Sequence, residues 1–90
     1  MQGEKKLKIL SILWQEYDNA IRKHREFVET PAAAVSIIAE ELGELSKEVN
    51  DEAENNRLGL TKPSFKNHAL IEAAHVAVTA IRTMEMLTDD

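Results

Sequence analysis

Apolar residues recur at helical spacing in three stretches of the chain. From about Glu4 to about Arg25, the residues Leu7, Leu10, Trp14, Tyr17 and Ile21 follow one another at intervals of 3, 4, 3 and 4, which draws one apolar stripe along a helix. Trp14 and Tyr17 lie on that stripe and read as core rather than as a platform for stacking a base. Lys5, Lys6, Lys8, Arg22, Lys23 and Arg25 crowd the two ends and read as a solvated face. Glu26 to Pro31 is a short connection. Thr30 suits a helix N-cap, and Pro31 suits the first helical position, where its missing N–H costs nothing.

A second helix starts near Pro31, with Val35, Ile38, Leu42, Leu45 and Val49 as its seam, again at 3, 4, 3, 4 spacing. One residue earlier runs a parallel stripe of Ala34, Ile37, Glu41, Glu44 and Glu48, which borders the seam, while Glu40 points further out with Ser36, Gly43 and Lys47. The apolar pattern fades after Asp51 and Glu52, and Arg57-Leu58-Gly59 reads as a helix end with glycine past the last turn. Leu58 to Lys66 form a loop. A third helix runs from about Asn67 to Leu87, capped by Ser64 or Asn67. Leu70, Ile71, Ala74, Val78, Ile81 and their apolar neighbours cover more than half of its circumference, wider than one partner helix requires. This helix is therefore expected at the centre, touching helices of its own chain and of another subunit. Its narrow polar side carries Glu72, His75, Thr79 and Arg82 at i, i+3, i+7 and i+10. The pattern predicts an all-α fold: a single domain over residues 1–90 with three main helices per chain, oligomerising into a four-helix-bundle-type core.

Composition narrows the function classes. A chain of 90 residues buries only a modest fraction of its surface on its own, which favours self-association as a homodimer or homotetramer. A net charge of -5 argues against general binding to nucleic acid or to an anionic membrane. The apolar run from Leu7 to Trp14 is too short and too polar to span a bilayer, and it has no small-residue cleavage site. Absence of cysteine excludes disulfides and thiolate metal sites. A cytoplasmic protein is the expectation.

Candidate chemistry sits on the second and third helices. Four carboxylates fall within Glu40-Glu41-Leu42-Gly43-Glu44-Leu45-Ser46-Lys47-Glu48, and like charges one turn apart destabilise an isolated helix by a few tenths of a kcal/mol. A divalent cation would give Glu41, Glu44 and Glu48 a reason to coexist. Glu41xxGlu44 and Glu72xxHis75 each place two ligand-type residues on one side of a helix, and antiparallel packing could converge all four on one site. Oxygen ligands suit Mg2+ or Mn2+.

The acidic run Glu40-Glu41-Leu42-Gly43-Glu44-Leu45, followed a loop later by Ile71-Glu72-Ala73-Ala74-His75-Val76-Ala77-Val78-Thr79-Ala80-Ile81-Arg82, resembles the MazG-like branch of the all-alpha nucleoside triphosphate pyrophosphohydrolases. That family carries an EExxE run and then an ExxD motif, and the resemblance covers roughly residues 35 to 87. It implies hydrolysis of a nucleoside triphosphate to monophosphate and pyrophosphate, with Glu41, Glu44 and Glu72 as catalytic metal ligands. Lys62, Lys66 and Arg82 are by position the nearest cations for the phosphates. His75 stands where the family has Asp. It leaves three alternatives open: a tolerated variant, a shift toward Mn or another transition metal, or a site that has lost activity, with Glu48 able to supply the missing carboxylate. Two rival readings stand beside the hydrolase. One is a MazG-like oligomerising or binding module whose acidic residues are an ordinary solvated flank. The other is a di-iron or di-manganese helical protein built from Glu72xxHis75 motifs of two subunits.

Overall fold

A computed structural model of the chain describes residues 1–60 and 63–88. It is all-helical: α1 (Gly3–Lys23), α2 (Pro31–Arg57) and α3 (Phe65–Leu87). Among the described residues no helix is long and apolar enough to cross a membrane.

The helix boundaries follow local chemistry. Thr30 Oγ1 accepts from the backbone N–H of Ala33 at 3.2 Å, and Pro31 opens α2. At the other end, Gly59 has φ +74, the left-handed conformation that a side chain would strain. The Gly59 N–H donates to Asn56 O at 3.1 Å and the Leu60 N–H to Asn55 O at 2.7 Å. This paired closure ends the helix and reverses the chain. At the start of α3, Ser64 holds the cap position through its carbonyl, which accepts from the His68 N–H at 3.1 Å; its hydroxyl makes no cap bond.

α3 is the central helix, packed against both α1 and α2, while α1 and α2 make no close backbone approach to one another. α2 and α3 run antiparallel, in a register that sets Glu41 beside His75 and Glu48 beside His68. α1 is tied to α3 near the far end: Tyr17 Oη donates to Glu85 Oε1 at 2.6 Å, and this bond, above all other causes, raises the proton affinity of the phenol. The Tyr17 ring stands edge-on to Trp14 at 5.4 Å.

The α1 face differs from the periodic reading. α1 turns Ile12 and Leu13 toward Ala74 and Ala77 of α3, with Ile9 and Leu70 at the open edge of this contact, leaving Leu7 and Trp14 of the expected core stripe 69% and 49% exposed while Tyr17 and Ile21 are half-buried. The reason is that α1 has one helical neighbour only and is apolar over a wider arc than that neighbour covers. On α3 the polar side is an inner side, as its convergence with the acidic side of α2 requires. Glu72, His75 and Thr79 are half-buried and Arg82 is buried, whereas Met84 and Leu87 face outward.

The chain buries little for its size. Among the described residues the buried hydrophobic ones are Ala34, Ala74 and Val78, and no large side chain is completely buried. The accessible surface is 6979 Å², where a compact monomer of 10.1 kDa exposes about 5,300 Å². The radius of gyration is 15.1 Å against about 12 Å for a compact chain of this length. Val35, Leu42 and Val49 are exposed along the outer side of α2. They stand seven residues apart, alternating with half-buried Ile38 and Leu45 as in the seam of a helical bundle.

Candidate metal centre

The central part of α3 projects its polar stripe into the space where all three helices converge. Glu72 and His75 come from successive turns of α3, Glu41 from the facing turn of α2, and Glu16 from α1. His75 Nδ1 lies 3.8 Å from Glu41 Oε2 and 3.7 Å from Glu72 Oε2. On the opposite side of the ring, Nε2 lies 3.4 Å from Glu16 Oε2. One ligand atom from each of Glu41, Glu72 and His75 falls within 4.8 Å of the others, a grouping that could hold a metal ion.

Glu41 Oε2 and Glu72 Oε2 are shielded from solvent and have no hydrogen-bond partner. They are the same two oxygens that face His75 Nδ1. Two buried carboxylate oxygens pointed at one another's neighbourhood without a donor are costly, on the order of 1–3 kcal/mol each. The donor set of two carboxylate oxygens and one imidazole nitrogen fits a divalent cation, which would meet both demands at once. The electrostatics carry the same signature. Burial pushes the Glu41 carboxyl above the ordinary carboxylate value; repulsion from Glu44 adds to it, His75 partly offsets it, and Glu72 and Glu40 raise it further.

The remaining candidates from the sequence occupy different surroundings. Glu44 is exposed and lies outside the group of three, acting on it through its charge. Glu48 sits two turns along α2, its Oε1 3.5 Å from His68 Nδ1. Glu40 is exposed. Arg82 is engaged in the fold: its Nη2 donates to His24 O at 2.7 Å and approaches Arg25 O at 3.4 Å, and its guanidinium lies 4.8 Å from the centre of the Phe27 ring. It thereby fastens the chain leaving α1 onto α3. Lys66 is exposed in the first turn of α3, nine residues before His75 and so about 13 Å along the axis. Lys62 lies outside the described residues.

A cleft of about 200 Å³ opens beside the cluster, lined by Glu16, Lys23, Glu41, His75, Thr79 and Arg82 among others. The Thr79 hydroxyl is turned away from it, donating to the carbonyls of His75 and Val76 on its own helix. Glu16 and Lys23 were not singled out as site residues by the sequence pattern. Glu16 lies one position before the stripe residue Tyr17, as Glu41 and Glu44 lie one position before Leu42 and Leu45. That shared offset is the signal by which it could have been found.

The raised Glu41 carboxyl has a testable sign. Between the ordinary carboxylate value and the raised one, the folded chain binds more protons than the unfolded chain. The contribution of Glu41 to stability is therefore fully present at low pH and is lost as pH rises through that window. In metal-free protein, Glu41→Gln should raise stability at pH 7 by about 1 kcal/mol, or roughly 4–8 °C in midpoint, and give no gain at pH 4. Thermal unfolding of both proteins at the two pH values checks this. An unchanged or lower midpoint at pH 7 would show that burial and the neighbouring carboxylates do not disfavour the charged form of Glu41.

Comparison with protein-family models, curated proteins and solved structures finds no match to this chain.

Proposed function

We propose that the chain is the subunit of a cytoplasmic, divalent-metal-dependent nucleotide pyrophosphohydrolase of the MazG-like kind. It acts as a homodimer or homotetramer on a nucleoside or deoxynucleoside triphosphate. The observation that carries the reading is the pair of unpartnered oxygens, Glu41 Oε2 and Glu72 Oε2, facing His75 Nδ1. Glu41, Glu72 and His75 would hold the ion, with Glu44 alongside. A divalent ion supplies Lewis acidity to phosphate oxygens and to an attacking water. Around it, Lys23 at the rim of the cleft presents a cation toward the phosphates, and Arg82 keeps that rim in place by holding the end of α1. At about 200 Å³ the cleft takes a phosphate group with its ion, smaller than the 300 Å³ or more of ordinary ligand pockets, so the base and sugar lie outside it.

Self-association is supported by the surface. About 1,700 Å² is exposed beyond what a compact monomer of this mass shows, enough for a standard interface and more. The heptad spacing of Val35, Leu42 and Val49 fits a second copy of α2 packed across a twofold axis, which would complete a four-helix core.

The test is release of pyrophosphate from a panel of canonical and modified nucleotides with Mg2+ or Mn2+ at micromolar protein. Release is expected with at least one of them, falling at least about a hundredfold in Glu72→Gln. No release from any nucleotide would defeat the hydrolase reading. A second reading, an oligomerising module with altered or lost catalysis, is favoured by one observation: Arg82, a candidate phosphate ligand, is committed to the carbonyls of His24 and Arg25. The di-iron or di-manganese reading requires iron or manganese to bind near stoichiometrically, with Glu72xxHis75 of two subunits meeting at one axis.

A further inference from the structure

We infer that Glu16 is a positioning residue for the site. It holds the His75 imidazole with its proton on Nε2, so that Nδ1 is presented as a nitrogen ligand and the ion selected is a transition-metal dication such as Mn2+, Co2+ or Zn2+ in preference to Mg2+. This rests on the reading that Glu41, Glu72 and His75 hold a divalent ion. Three carboxylates surround the ring unequally: Glu16 alone faces Nε2, at 3.4 Å, while Glu41 and Glu72 both face Nδ1, at 3.8 and 3.7 Å. A neutral imidazole carries one N–H and one lone pair. With the proton directed to Glu16, the Nδ1 lone pair and the two unpartnered carboxylate oxygens converge with no hydrogen among them. Such a convergence is relieved by a cation or by an added proton on Nδ1 or Glu41, and the geometry of three ligand atoms suits the cation.

The placement of Glu16 also argues for a supporting role. Its side chain is 17% exposed on the inner face of α1, between Leu13 and Ala20, where a carboxylate needs a partner. The ring nitrogen of His75 is the partner that the structure provides. Glu16 does not belong to the group whose ligand atoms converge. It stands behind the histidine as the outer carboxylate of a carboxylate–histidine–metal arrangement, which fixes the tautomer and strengthens the nitrogen as a donor. Mg2+ prefers oxygen ligands and binds imidazole poorly, whereas Mn2+, Co2+ and Zn2+ accept it, with affinity rising along the divalent series. Elsewhere on the α2–α3 seam, His68 has Glu48 at one nitrogen and, among the described residues, no converging ligand group around it.

The tautomer is read without any metal. The 90-residue chain labelled with ¹⁵N at its three histidines is stripped with chelator, and long-range proton–nitrogen correlations are recorded at pH 8, with His75 assigned through His75→Gln. The expected result is an Nε2–H tautomer for His75, retained in Glu16→Gln, whose amide oxygen can also accept from Nε2–H, and lost to a mixture in Glu16→Ala. An Nδ1–H tautomer, a doubly protonated ring, or a tautomer indifferent to Glu16→Ala overturns the positioning role whether or not the site binds an ion. Calorimetric titration with Mn2+, Zn2+ and Mg2+ supplies the second readout. The transition ions should bind at least about tenfold more tightly than Mg2+, and Glu16→Ala should weaken Zn2+ binding by about 10–100-fold. Equal or tighter Mg2+ binding overturns the selectivity. Failure of every ion to bind, with the Nε2–H tautomer present, removes the metal reading itself and the selectivity with it.

Discussion

When metal-stripped protein is refilled with Mn2+ to a hundredfold excess over its dissociation constant, its thermal midpoint should rise by about 10–20 °C. The magnitude follows from linkage. A ligand that binds the folded state alone stabilises it by about 2.7 kcal/mol at that excess, and each kcal/mol moves the midpoint of a chain this short by about 4–8 °C. The whole rise should vanish in Glu41→Gln and Glu72→Gln, because each removes the charge at one of the two buried, unpartnered oxygens. Glu40→Gln should keep it, since Glu40 is exposed and outside the cluster. Glu44→Gln separates two geometries: loss of the rise makes Glu44 a ligand, and a retained rise confines the set to Glu41, Glu72 and His75. Differential scanning of the five proteins with and without ion decides the matter. A rise that persists in Glu41→Gln would mean that the ion binds elsewhere.

The second large effect concerns association. Leu42→Glu should shift the dissociation constant of the assembly by about a thousandfold or more. Leu42 is 52% exposed in the single chain, and in a monomer a polar substitution at such a place changes stability by no more than about 0.5 kcal/mol. Across a twofold seam the same change removes two buried leucines, about 1.5–3 kcal/mol each, and sets two carboxylates against each other. Sedimentation equilibrium over a range of concentrations reads the difference. A wild-type chain that stays monomeric at tens of micromolar, or a Leu42→Glu chain that associates as before, would defeat pairing through α2. Loss of association in Trp14→Glu with Leu42→Glu unaffected would transfer the interface to the exposed apolar side of α1 and α3.

The three helices were legible in the sequence because their signals are local. The 3, 4 spacing of apolar residues, the Thr30-Pro31 start and the Gly59 stop each depend on a few neighbouring residues. Which side of a helix is inner was less legible, because that depends on how many neighbours the helix has. On α1 the stripe through Leu7, Leu10 and Trp14 is as apolar as the set Ile9, Ile12 and Leu13, and only the position of α3 chooses between them. On α3 the narrow polar stripe could be set against the acidic residues of α2 from spacing alone, but how deeply it is buried could not be read that way. It is drawn inward, where Arg82 finds the His24 carbonyl and His75 finds three carboxylates. Glu72 and His75 could be paired from their spacing on one helix. The offset of Glu16 before Tyr17 marks it as an edge residue of α1, but its pairing with His75 across 59 residues of sequence depends on how α1 packs on α3.

The antiparallel register of α2 and α3 repeats one pairing seven residues apart: Glu41 with His75, and Glu48 with His68. The first has α1 over it and the second does not, so His75 is 38% exposed and His68 64%. The chain thus contains its own calibration standard. The same two side-chain types meet on the same two helices, once roofed and once open to water. A spectroscopic or metal-binding property that differs between the two histidines measures what the third helix adds, under identical solvent and temperature and within a single molecule.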